Sequence, residues 1–320
     1  MGDAFFTAPN PPFGAAFTYY LKESLRTRKQ QRQETEKSLE KQGKTINFPG
    51  WDTLRQEERE EEPAVILTVK DEAGNVVRRL TGPTDKGLHR IAWDLRYPAI
   101  EPTKLEEPRD LEPWDRPAEG PLVVPGTFSV SLAKRVDGVL TSLGKPQVVV
   151  VESLGLAALP AKDKKELLEF QKKAGELQRA MMGADEALRQ ALKNLEFIKK
   201  ALLETPRAPK ELGTEARSLE KQLKDIHIEL SGDPIARKRN EPSSPSLLQR
   251  VDKEVIQISS TTGITTTNKR NYEISADAFE ELLEKLRQLI DVDLKNLEEK
   301  MEAAGAPWTP GRGVPKWGKK

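Results

Sequence analysis

Between residues 63 and 152 apolar and polar positions alternate, whereas beyond residue 161 they step by three and four. The first period belongs to half-buried strands and the second to helices with one apolar face. Ala64 to Val69 reads as a strand, Asp71 to Asn75 as a turn in which Gly74 supplies positive φ, and Val76 to Leu80 as the returning strand. In Gly87 to Leu95 the more apolar parity holds His89, Ile91, Trp93 and Leu95, so that parity is expected to face the core. A Pro-rich loop follows from Tyr97 to Pro121; Gly126 to Leu132 and Gln147 to Val151 then add short strands, with Phe128, like Trp93, expected to be a core residue. Upstream, Phe13 to Leu21 is a further strand with Phe17, Tyr19 and Leu21 on one side. Short alternating strands broken by Gly and Pro predict an antiparallel β-sandwich of immunoglobulin or fibronectin type III kind over residues 14–152.

The segment 22–62 interrupts that sandwich. Lys22 to Gln42 is almost all Lys, Arg, Glu and Gln, with Leu25 and Leu39 as its apolar anchors, which predicts a solvated helical arm. Asp52 is placed to cap a short acidic helix running to Glu61. In the second half, Leu167, Phe170, Ala174, Leu177, Met181, Ala184, Leu188, Ala191, Leu195, Ile198 and Leu202 form an unbroken seam. Such a seam predicts one long helix against a partner, with Leu177, Leu188 and Leu195 buried while Lys173 and Arg189 point outward. Leu212 to Leu230 repeats the pattern until Gly232-Asp233-Pro234 stops it. A third seam runs from Phe279 to Met301, and its steps from Ile290 to Leu294 to Leu297 imply a stutter. Residues 160–304 are thus expected to form a long antiparallel helical hairpin or three-helix bundle, with a loop at 235–274. The fold class is α+β, and residues 1–13 and 305–320 are expected as extended strips.

Composition narrows the functional classes. A hydrophobic fraction of 36% with 32% charged residues suits thin architectures, and a net charge of +1 argues against a dedicated nucleic-acid binder. With no cysteine there are no disulfides, thiolate metal sites or thiol nucleophiles. The opening Met-Gly-Asp-Ala-Phe-Phe lacks the basic n-region and apolar run of a signal peptide, and no segment has the apolar length of a membrane span.

Several strings together resemble one family. GDAFFTAPNPPFGAAFTYYL from Gly2, PAVILTVKDEAGNVVRRLTGP from Pro63, GLHRIAWDLRYP from Gly87, GPLVVPGTFSVSLAKRVDG from Gly120 and AGAPWTPGR from Ala304 are similar to the C-terminal region of bacterial sortilin-like proteins of the BNR-repeat glycosyl hydrolase kind. The resemblance covers nearly the whole chain. It implies a region that follows a large β-propeller in an extracytoplasmic protein. The propeller is absent here, and so is any Asp-box repeat, so no hydrolase residue carries over; a start inside a motif suggests a fragment, an internal start or one partner of a split gene.

The candidate chemistry is sparse. His89 and His227 have no further ligand at metal spacing, which favours surface or core-rim roles. There is no Gly-x-Ser-x-Gly and no phosphate-binding glycine loop. Trp51-Asp52 and Trp93-Asp94 are aromatic-flanked carboxylates, but a helix cap and a sandwich-core tryptophan explain them more cheaply than a glycosidase acid does. Lys199, Lys200 and Arg237-Lys238-Arg239 read as solvated charge rather than a phosphate or RNA site. Neither a catalytic residue, a metal nor a cofactor is expected. The aromatics among prolines, Phe5, Phe6, Phe13, Trp308 and Trp317, form the candidate interaction surface, the alternative being tails that fold back on their own domains. The expected function is a non-catalytic accessory module that supports a β-propeller or binds a partner, with some tendency to self-associate. Its rivals are a contributor of loops to a shared glycosidase site and a free helical adaptor that dimerises through its heptads.

Overall fold

The computed structural model describes residues 13–103, 105, 118–155, 159–252, 260–315 and 317. The fold is mixed α+β. The described residues of Met1–Pro98 and Pro121–Leu156 form one compact unit, and those of Ala99–Gly120 and Ala157–Lys320 form the other. Residues from Ala99, expected as a sandwich loop, therefore group with the helices. The reason is local: the Arg179 guanidinium donates to the Ala99 and Ile100 carbonyls, and Ile100 packs where Gly175 has no Cβ to obstruct it.

The first unit holds two sheets. Strands β1 (Ala15–Leu21) and β4 (Gly87–Trp93) pair antiparallel, Phe17 opposite Ile91 and Tyr19 opposite His89. The second sheet runs β3 (Val76–Gly82), β2 (Ala64–Lys70), β5 (Gly126–Val136), β6 (Val139–Ser142), with β7 (Gln147–Val151) also paired to β5. Tyr19, Leu21 and Trp93 of the small sheet share one core with Val65, Leu67, Val69, Val77, Phe128 and Val130 of the large one. Trp93 is fully buried, its ring edge-on to Phe128 at 5.2 Å and its indole N–H donating to the Arg96 carbonyl at 3.0 Å. Gly82 lies where Tyr19 and Ile91 approach so closely that a Cβ would stand 2.4 Å from Ile91 Cδ1. The β5–β6 hairpin, which the sequence reading did not foresee, turns on Asp137-Gly138, both at positive φ as a type I′ turn requires.

An arm interrupts the strands. Helix α1 (Arg28–Lys41) begins in a Thr27–Gln30 capping box and buries none of its residues. It is held to α2 (Trp51–Arg59) by Arg32, whose guanidinium meets both carboxylate oxygens of the buried Glu57 at 2.7 and 2.8 Å. Asp52 is not the cap expected of it. Gly50, at φ 89°, precedes α2, and Asp52 sits in the first turn paired with Arg55. A carboxylate there still complements the helix dipole.

The second unit is built on α3 (Lys164–Leu203), capped by Asp163, and α4 (Lys210–Ser231). Their contacts run in opposite order: Lys199 with Glu220, Asp185 with Ser231. Leu188, Leu195 and Ile198 of α3 share a core with Leu219, Leu223 and Leu230 of α4, and with residues of the later helices. Leu188 and Leu195 are fully buried, but Leu177 is only half-buried at the rim. Along the N-terminal half of α3 the buried line runs instead through Gln171, Ala174, Gly175 and Gln178. A seam written at period 3.5 drifts on a helix of 3.6 residues per turn, and the small pair Ala174-Gly175 lets Ile100 dock beside it. Lys173 and Arg189 are exposed.

Among its described residues, the loop expected at 235–274 contains two short helices and the start of a third. Asp233 caps α5 (Pro234–Lys238), Ser246 caps α6 (Leu247–Arg250), and Thr265 with Asn268 caps α7 (Thr266–Arg287). Ser246 and Thr265, which read as loop, are thus helix caps, and the early α7 residues are too polar to display a seam. Past α7, Gln288–Leu294 is π-helical before α8 (Lys295–Ala303). Buried Leu286, Leu289, Leu294, Leu297 and Met301 contain one five-residue step, Leu289 to Leu294, and the widened π turn absorbs it. The irregularity read as a stutter has this physical form.

Candidate functional site

Over residues 305–313 the C-terminal tail is not the extended chain expected for it. After α8 the chain turns through Gly305 (φ 73°), and the Ala306 amide returns to the Met301 carbonyl at 3.0 Å. Arg312, its side chain 5% exposed, pairs with Glu302 and donates to the Pro307 carbonyl at 3.0 Å. Thr309 is buried, and the Arg312 amide donates to its carbonyl. Gly311, at φ 92°, lies so close to Asn194 of α3 that a side chain would meet that amide. These bonds close residues 307–313 into a hook. On the hook Trp308 is 51% exposed while its indole N–H is fixed to the Gly313 carbonyl at 2.9 Å. A half-exposed tryptophan held by its own backbone has little side-chain freedom left to lose.

The other expected surface aromatics divide. Phe13 belongs to the β unit and is exposed, and Trp317 is 82% exposed in the helical unit. Phe5 and Phe6 lie outside the described residues. The sequence reading missed a second display. Phe48 and Trp51 pack edge-on at 5.2 Å at the α1–α2 connection and are 63% and 68% exposed, with Ile46 beside them in sequence. Aromatics flanking Pro49-Gly50 inside an otherwise charged arm were the available signal.

The residues weighed as catalytic or ligating have structural partners. Asp94 Oδ1 accepts from the Arg96 amide at 3.1 Å, closing the turn that carries Leu95 at φ 58°. His89 Nε2 stands 2.6 Å from the Asp85 carbonyl oxygen, with its ring against Tyr19. His227 Nε2 lies 3.6 Å from Asp185 Oδ1, and the buried Asp185 also takes Arg189 and the Ser231 hydroxyl. The carboxylate, not the imidazole, is at the centre of that cluster, so it lacks the serine–histidine order of a nucleophilic triad. Among the described residues, no group of His, Cys, Asp or Glu is arranged to hold a metal ion. Lys199 and Arg237, read as solvated, are engaged. Lys199 and Lys224 hold the Glu220 carboxyl below its ordinary range, and Arg237 donates to the Ser231 carbonyl at the end of α4.

The helical unit also contains an open cleft of about 950 Å³. Met182 and Asp185 of α3, Leu248 of α6 and Asp252 lie along it, together with Gln178 and Arg189. Comparison with protein-family models, curated proteins and solved structures finds no match.

Proposed function

We propose that the chain is a non-catalytic accessory module that docks on a partner through rigidly displayed aromatics, with Trp308 at the centre of the contact. The hook carries this reading. An indole pinned to its own backbone, on a turn secured by a nearly buried arginine, is more order than a solvent-facing tail needs for its own stability. The string AGAPWTPGR, which contains Trp308, is also among those that resemble the sortilin-like C-terminal region. From that resemblance we take the partner to be a BNR-type β-propeller and the setting to be extracytoplasmic. We read the β unit as an immunoglobulin-like sandwich and the helical unit as a three-helix bundle of α3, α4 and α7–α8. The seam of α3 is occupied by α4 and the later helices, which disfavours pairing of two chains through those heptads. Among the described residues no helix is long and apolar enough to cross a membrane.

The test is co-expression with a BNR-type propeller from the same genome, followed by sedimentation. A one-to-one complex is expected, and Trp308→Ser should weaken it by at least about tenfold, as for a central interface tryptophan. Assays of the isolated chain on aryl-glycosides should match buffer. A complex indifferent to Trp308, or turnover abolished by Asp94→Asn, would refute the reading.

A further inference from the structure

The cleft of the helical unit carries an inference independent of the docking surface. Among the described residues of its lining, Asp185, Glu186 and Asp252 face one cation, Arg189. Arg189 is committed, paired with Asp185 and 3.7 Å from Glu186, and Asp185 is closed further by the Ser231 hydroxyl. Two acceptors remain. Asp252 is exposed and has no ion-pair partner among the described residues, receiving only the Gln178 side-chain N–H at 3.3 Å. Gln178 itself is 9% exposed, and its Oε1 is buried with no hydrogen-bond partner.

A buried acceptor left unpaired is destabilising, and native proteins keep few of them without a use. Turning the amide over would not relieve it, because a carbonyl would then face the Asp252 carboxylate. The bond from Gln178 to Asp252 therefore holds an unpaired carbonyl beside an unpaired carboxylate. Met182 and Leu248 add apolar wall, and about 950 Å³ is the size of a small-ligand site.

We propose that this cleft binds a guanidinium or primary ammonium group carried on a short aliphatic stem. The cation supplies donors only, which Asp252 accepts directly from the cleft and the buried Gln178 Oε1 accepts once its amide swings toward the ligand. The stem lies against Met182 and Leu248, as long basic side chains do on apolar surface. An anion would meet the acidic lining, and among the described residues a bare metal ion would lack a set of clustered ligands.

The same group occurs in free amines and in arginine or lysine side chains of a peptide, so titration calorimetry of the full chain uses both. The probes are agmatine and the peptide acetyl-Gly-Arg-Gly-amide, with acetyl-Gly-citrulline-Gly-amide as the uncharged isostere. One cationic probe should bind, and tighter binding of agmatine or of the peptide identifies the source. Asp252→Asn, an exposed change compatible with folding, should weaken that probe by about tenfold or more, the scale of one charge-assisted bond. Gln178→Leu should weaken it with no loss of melting temperature, and added salt should weaken it in the wild type. Failure of both cations to bind, equal binding of the citrulline peptide, or wild-type affinity in Asp252→Asn would each overturn the proposal.

Discussion

The two units are held by different kinds of core. The helical unit distributes its burial over many aliphatic side chains, among them Leu188, Leu195, Leu223, Leu230 and Leu297, each fully buried or nearly so. The β unit closes around one large residue, Trp93, which meets Phe128 edge-on and also ties its indole to the Arg96 carbonyl. A distributed core tolerates errors at its rim, as the half-buried Leu177 shows. A core centred on one ring has no such reserve, because neighbours cannot fill a cavity of that size. The arm α1–α2 is a third case, with a salt bridge in place of an apolar core.

The largest effect should come from Leu188→Asp. A carboxylate placed at a fully buried position among aliphatic side chains has no partner, and the helical unit should unfold, seen as loss of most helical circular dichroism. Retention of the signal and of the melting curve would contradict the core described here. Trp93→Ala should cost about 3–5 kcal/mol in the β unit by chemical denaturation, the usual range for a buried aromatic. In the distributed core, Leu177→Ala should cost clearly less than the roughly 2–5 kcal/mol of a fully buried leucine. Equal losses at Trp93 and Leu177 would erase the contrast between the units.

These comparisons also mark what the sequence made legible. Strand parity was readable because a period of two allows one assignment: Leu88 is 73% exposed while Trp93 is fully buried. The seams of α4 and the middle of α3 were equally clear. One tertiary contact and two local caps decided where the reading failed. Ile100 against Gly175 displaced the seam of α3, and Ser246 and Thr265, loop-like in composition, are helix caps. The Asp137-Gly138 turn was visible in the chain and went unread. Of the candidate site, the exposed aromatics were nameable from their proline-rich surroundings. The hook was not, because it depends on Arg312 finding Glu302 and Pro307, contacts that leave no periodic trace.

Acid should separate the regions by sign. The Arg32 guanidinium holds the Glu57 carboxyl below its ordinary value of 4.5, so this site contributes stability above that pH and loses it as pH falls through the depressed value. Burial raises the Glu298 carboxyl in the helical unit, so that site gains stability as pH falls from neutral toward 4.5. Melting curves against pH should lose the acid-side fall in Glu57→Gln and the opposite gain in Glu298→Gln. Slopes unchanged in both variants would contradict the two environments. The smallest stability effect belongs to Trp308→Ala, which should change folding by under about 0.5 kcal/mol, as for a surface substitution. A larger loss would make the indole a structural strut.

The most direct measurement places a photo-crosslinking benzoylphenylalanine at Trp308 in cells that also express a BNR-type propeller, the proposed partner, with the same substitution at the exposed Ile235 as control. A docking module centred on the hook predicts an adduct of chain plus propeller from position 308 and none from position 235. No adduct from position 308, or equal adducts from both, would contradict it.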